Sequence, residues 1–145
     1  RGRQSDIPLQ KDIKGELPSI MADPDQIQRV LINLLENAFD SIEAGGTVKL
    51  RAQTDVERSQ LVIEICDEGK GIPQENKEHI FSPYFSTKYN GSGLGLAICH
   101  RIIDDHNGEI TVRDNHPQGS IFRVSLPLIS SSPTLELLER TVAIG

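Results

Sequence analysis

Three glycines at alternate positions, Gly91, Gly93 and Gly95, open directly into an apolar helical pattern that runs through Leu94, Leu96, Ala97, Ile98, Ile102 and Ile103. Few arrangements tolerate that combination. Alternate glycines keep side chains away from a backbone that must approach something closely, and the following helix offers unpaired N–H groups and its positive dipole end. The expectation is a phosphate cradle. Two familiar cradles do not apply, because there is no Gly-x-x-x-x-Gly-Lys-Ser/Thr and the run lacks the preceding strand and spacing of a dinucleotide-binding turn.

Composition narrows the ligand. A chain of 145 residues suits one domain with a real core. A formal charge of −6 argues against a surface that tracks nucleic-acid phosphates, whereas a single nucleotide needs only backbone amides and a lysine. No apolar run approaches membrane-spanning length and no signal peptide opens the chain, so a cytoplasmic domain without membrane contact is expected. Cys66 and Cys99 have no cysteine or histidine at ligand spacing and read as buried, inert thiols. The aromatics Phe81, Tyr84, Phe85 and Tyr89 crowd just ahead of the glycines, as expected of a mobile lid with apolar anchors.

Along the chain, 1–6 reads as a linker from an upstream domain, 7–13 as a strand and 19–22 as a second short strand. Asp23-Pro24 announces a helix over 24–43 that stops at Gly45-Gly46. Ile27, Val30, Leu31, Leu34, Leu35 and Ala38 form its apolar face, while Asn33 and Asn37, four apart, stand one above the other at the boundary of the polar face. Strands are expected over 47–54 and 60–66, a short helix over 73–80, a helix from 93 to 106, and strands over 109–113 and 120–126. Beyond a Ser-Ser-Ser-Pro break, 134–144 has helical spacing at Leu135, Leu138 and Val142, and 130–145 reads as a connector. The order of elements predicts an α/β fold, a two-layer sandwich with a mixed, mostly antiparallel sheet and helices on one face, over 7–129.

Asp67 ends a nearly apolar strand and is followed by Gly69 and Gly71. A carboxylate there only accepts hydrogen bonds, which suits the exocyclic amine of adenine; an Asx turn with Gly69 is the plainer alternative. Asn37 offers a neutral oxygen of the kind Mg²⁺ takes alongside phosphates and waters. Lys88, beside Ser86 and Thr87, is placed to meet a terminal phosphate.

The words Asn33-Leu-Leu-Glu-Asn37-Ala38, Asp67-x-Gly69-x-Gly71-Ile72-Pro73, Phe81-x-Pro83-Tyr84-Phe85-Ser86-Thr87-Lys88 and Gly91-Ser92-Gly93-Leu94-Gly95-Leu96-Ala97 resemble, in order and spacing, the N, G1, F and G2 boxes of sensor histidine kinases. That resemblance implies the Bergerat ATP-binding fold shared with gyrase, mismatch-repair and heat-shock-chaperone ATPases. It implies ATP and Mg²⁺ as cofactors, Asn37 on the metal, Asp67 on the adenine amine, a lid from about Ile72 to Ser92, and nucleotide contacts from Asn33, Ser86, Thr87, Lys88 and the G2 box Gly91 to Leu96. Asn37 and Lys88 are then the catalytic pair. Asn33 stands where gyrase-like ATPases carry the glutamate that activates water, so transfer to another acceptor is expected in place of fast hydrolysis. Two departures weigh on this. Asp40 occupies a position where many histidine kinases carry Lys or Arg, which leaves more to Lys88, and His79, His100, His106 and His116 all lack the acceptor pattern. The implied partners are therefore a histidine-bearing dimerisation domain of the same parent protein and, indirectly, a response regulator. A gyrase-like ATPase, an anti-sigma type serine kinase and a non-catalytic nucleotide sensor remain as alternatives.

Overall fold

The computed structural model describes residues 7–43, 45–83, 85 and 94–128. Its elements run β1 (Leu9–Ile13), α1 (Pro24–Ser41), β2 (Val48–Asp55), β3 (Gln60–Asp67), α2 (Gln74–Lys77), α3 (Gly95–Asp105), β4 (Glu109–Asp114) and β5 (Ser120–Pro127). The strands form one five-stranded sheet in the order β1-β2-β3-β5-β4, with β1 parallel to β2 and the other pairs antiparallel. This is the mixed, mostly antiparallel α/β arrangement that the element order predicts.

Helix α1 forms for local reasons at its start and tertiary reasons at its end. The Asp23 carboxylate accepts from the backbone N–H groups of Asp25 and Gln26 at 3.0 and 3.4 Å, and Pro24 supplies a preset first turn. The helix closes at Ser41, short of the expected 43, because the Ser41 carbonyl accepts from the Lys70 backbone N–H at 3.2 Å and Ile42 turns extended. Val30, Leu34 and Ala38 on the helix and Ile42 just past it are buried against Ile63, Ile65, Val124 and Leu126 of the sheet. Cys99, Ile102 and Ile103 bring α3 into the same core, with the Cys99 thiol 3.9 Å from the Val30 carbonyl. Burial pushes that thiol up to about 11, and both cysteines are free and buried.

The stretch 19–22 is not a strand. β1 already holds the edge beside β2, Ile20 turns partly into the core, and Met21 is left 76% exposed. The expected helix over 73–80 shrinks to α2, after which successive turns link His79 to Asn76, Ser82 to His79 and Phe85 to Ser82.

His106 joins the two long helices. Its Nδ1 lies 2.7 Å from the Ile102 carbonyl and so carries the proton, while its Nε2 accepts from the Asp23 backbone N–H at 3.1 Å. One imidazole thus caps the end of α3 and the start of α1. His106→Ala is expected to lower unfolding stability by about 1–2 kcal/mol, the worth of two modest hydrogen bonds. Urea denaturation measures the loss.

Candidate nucleotide site

The loop after β3 is the most constrained part of the site. The Asp67 side chain is 2% exposed, and its Oδ1 accepts from the backbone N–H groups of Gly69 at 2.9 Å and Ser120 at 3.2 Å. The Asx turn with Gly69 is therefore present, and it orients the carboxylate. Burial pushes the Asp67 carboxyl above the usual carboxylate range, outweighing the Gly69 and Ser120 N–H groups and the Ser41 hydroxyl, which act the other way.

The backbone of this loop is held from three directions. Asn115 Nδ2 donates to the Asp67 carbonyl at 2.8 Å, and Gln118 Nε2 donates to the carbonyls of Glu68 and Gly69 at 3.2 and 3.1 Å. Thr47 donates through both its N–H and its hydroxyl to Glu68 Oε1 at 2.8 Å, which lowers the Glu68 carboxyl. The third hold comes from α1, where the Ser41 carbonyl receives Lys70. A Cβ on Gly69 would run into the hydroxyl and carbonyl of Ser41, and one on Gly119 into the Asp67 carbonyl. Gly71 and Gly119 also have φ of +77° and +107°, where side chains are disfavoured.

Asn33, Asn37 and Ser41 lie four apart along α1 and form one stripe, half-buried between the core and the exposed side that carries Glu36 and Asp40. At one end Ser41 meets Asp67 and Gly69. At the other, Asn33 Oδ1 is 3.7 Å from where a Cβ on Gly95 would stand, which brings the first residue of α3 against α1. Asn33, Leu94 and Gly95 line a cavity of about 490 Å³ together with Arg29, Ile32 and Ile98. The stripe from Asn33 to Ser41 spans about 12 Å at the helical rise. Asn37 lies midway.

The expected residues therefore fall into two groups joined by α1: Asp67, Gly69 and Gly71 in the loop at one end, and Asn33, Leu94 and Gly95 at the other. Ile72 and Leu96 pack partly buried against the core. Ser86, Thr87, Lys88, Gly91, Ser92 and Gly93, like Tyr84 and Tyr89, lie outside the described residues. Of the expected apolar anchors, Phe81 packs edge-on against Phe122 with ring centres 6.2 Å apart and lies 5.8 Å from His100, and Phe85 lies 6.2 Å from His79. Ser41, Asn115, Gln118 and Ser120 were not evident as site residues. The one sequence signal for them is the turn composition of 114–119 ahead of a strand.

No group of three His, Cys, Asp or Glu side chains gathers among the described residues. A cage built wholly of protein carboxylates and imidazoles is not found there, and the half-buried amide of Asn37 fits a cation carried largely by phosphate oxygens and water.

Residues 22–130 match the family described as histidine kinase-, DNA gyrase B- and HSP90-like ATPases. Sporulation kinase C of Bacillus subtilis (strain 168) is 40% identical over 129 residues, covering 88% of this chain and 30% of that protein. The sensor histidine kinase ZraS of Salmonella typhimurium is 39% identical over 125 residues, covering 86% and 27%. The chain thus spans less than a third of the length of these curated relatives. Among solved structures, the nucleotide-free catalytic domain of the histidine kinase ThkA is 35% identical with a TM-score of 0.77, covering 87% of this chain and 82% of that one. With 109 matched residues (22 through 130) and a likeness that takes in most of a solved catalytic domain, the chain belongs to the ATP-binding catalytic domains of sensor histidine kinases within that ATPase family.

Proposed function

We propose that this domain holds Mg·ATP along the Asn33–Asn37–Ser41 stripe and passes the γ-phosphoryl group to a histidine on a separate helical domain of its parent protein. The observation that carries the reading is the Asp67 loop: a buried, fixed acceptor, framed by glycines, at the opposite end of α1 from the helix opened by Gly95. Asp67 accepts from the adenine amine. Asn37 offers its amide oxygen to Mg²⁺, which draws charge from the phosphates when bound. Lys88 and the backbone from Gly91 to Leu96 hold the terminal phosphates, with Ser86 and Thr87 at the lid. In transfer, the bond from the γ-phosphorus to the bridging oxygen breaks, ADP leaves with that electron pair, and an imidazole nitrogen of the acceptor forms the new bond. The domain contributes positioning and charge neutralisation. A response regulator then takes the phosphoryl group from the histidine, and the site of action is the cytoplasm.

The test is phosphorylation with labelled ATP, with the chain alone and with its parent's dimerisation domain added. Acid-labile phosphate on the added domain supports the reading. Rapid ATP hydrolysis with no phosphoryl transfer sinks it in favour of a gyrase-like ATPase.

Asn37→Ala is expected to remove the gain in ATP affinity that Mg²⁺ confers, at least about tenfold or 1.4 kcal/mol, while leaving metal-free binding nearly unchanged. Calorimetry with and without chelator measures it, and equal losses in both conditions would withdraw the metal role.

A further inference from the structure

The ammonium of Lys77 meets three acceptors: the Asp114 carboxylate at 2.9 Å, the Ile72 carbonyl at 3.0 Å and Gln74 Oε1 at 3.2 Å. Lysine has three N–H donors, so all are engaged. Its side chain is only 14% exposed, against 60% for Asp114. A lysine gives up that much hydration when its donors are matched.

The position of this cluster matters more than its strength. α2 buries none of its four residues, and Pro73 at its start makes no side-chain cap. Beyond α2 the chain is fixed by Ile80, which is buried, and by Phe81 against Phe122. Lys77 ties α2 itself to the sheet through Asp114, the last residue of β4, and reaches back over the helix to the Ile72 carbonyl. Asp114 also leads into the turn that holds the Asp67 loop, where Asn115 donates to the Asp67 carbonyl, Gln118 to those of Glu68 and Gly69, and the Ser120 N–H to Asp67 Oδ1. Gly71 runs beside that turn, with the Gly119 carbonyl 3.5 Å from where a Cβ on Gly71 would stand. One short turn thus grips 67–69 directly and residue 72 through Lys77.

We propose, building on the adenine role of Asp67, that Lys77 is a positioning residue for the base. By drawing the Ile72 carbonyl and the Asp114 carboxylate onto one ammonium, it fixes where the run from Gly69 to Ile72 lies relative to Asp67, and so the width of the slot a purine ring enters. Without the ammonium the Ile72 carbonyl loses its donor and α2 has no buried side chain to keep it in place. A slot of set width makes the ring present its amine squarely to Asp67. A slack one lets the ring shift, and discrimination between an amine and a carbonyl falls.

The test compares ATP with inosine triphosphate, which carries a carbonyl where adenine has its amine. In calorimetry on the full chain, Lys77→Met is expected to bind ATP at least about fivefold more weakly with inosine triphosphate little changed, so the ratio of the two affinities shrinks. Lys77→Arg keeps donors for Ile72 and Asp114 and is expected to recover most of that ratio. Asp114→Ala, which removes the exposed anchor and leaves the ammonium, is expected to shift the ratio in the same direction as Lys77→Met. A role in stability alone would weaken both nucleotides alike, and an unchanged ratio in Lys77→Met and Asp114→Ala overturns the positioning role. If the ratio is lost in Asp67→Asn but kept in those two variants, Lys77 alone is ruled out. An unaltered chain with no preference for ATP overturns the adenine role of Asp67 and the role of Lys77 with it.

Discussion

Asp67→Asn is expected to leave the domain folded while cutting its affinity for ATP by roughly 5–150-fold, equivalent to about 1–3 kcal/mol. The separation follows from how the two carboxylate oxygens are used. Oδ1 accepts from the N–H groups of Gly69 and Ser120, and an asparagine carbonyl replaces it atom for atom. In the proposed binding mode the other oxygen becomes an NH₂ set against the amine of adenine, donor against donor. Stability is expected to change through its pH dependence. Burial raises the folded-state value of Asp67 above 3.8, so the protonated form is the one favoured by folding. Its favourable contribution is complete below the ordinary carboxylate value and is lost as pH rises through the raised one. An asparagine does not titrate, so the variant is expected to show a flatter pH dependence of stability across that window. Urea unfolding at pH 4 and pH 7, paired with ATP titration, tests both halves. Unimpaired ATP binding by the Asp67→Asn variant would end the assignment.

Gly119→Ala should be the more damaging change, because it strikes the support behind Asp67. A φ of +107° costs an ordinary residue roughly 1–2 kcal/mol, and pressing a methyl group into an occupied site adds typically about 1–3 kcal/mol. The occupied site is the Asp67 carbonyl itself, so the strain is relieved by displacing the loop. The expected outcome is a loss of about 3 kcal/mol, or on the order of 10 °C in melting temperature, together with ATP binding weaker than in Asp67→Asn. A methyl group tolerated there without change in either measurement would mean the turn does not brace the loop.

Much of this architecture is legible in the residues. The 3.6-residue period from Ile27 to Ala38 and the Asp23-Pro24 start define α1, and alternation or apolar runs locate the five strands. What escapes is whatever depends on chain brought from far away. The end of α1 is set by Lys70, 29 positions on from Ser41, so no local rule finds it. That β5 inserts between β3 and β4 is a matter of which edges meet, and 19–22 has strand-like residues although it is β1 that takes the place beside β2. The site divides in the same way. Asn33, Asp67 and Gly95 stand in short words whose chemistry reads directly, whereas the side-chain amides of Asn115 and Gln118 and the backbone N–H of Ser120 act from 48 to 53 residues away, a separation that no local pattern marks.

The imidazole of His106 fastens the last turn of α3 to the first turn of α1, the Cys99 thiol reaches the Val30 carbonyl midway, and Gly95 lies against Asn33 at the far end. Three attachments spread over about 16 Å at the helical rise seat the two helices as one body, so a displacement of α1 carries the leading turn of α3 with it.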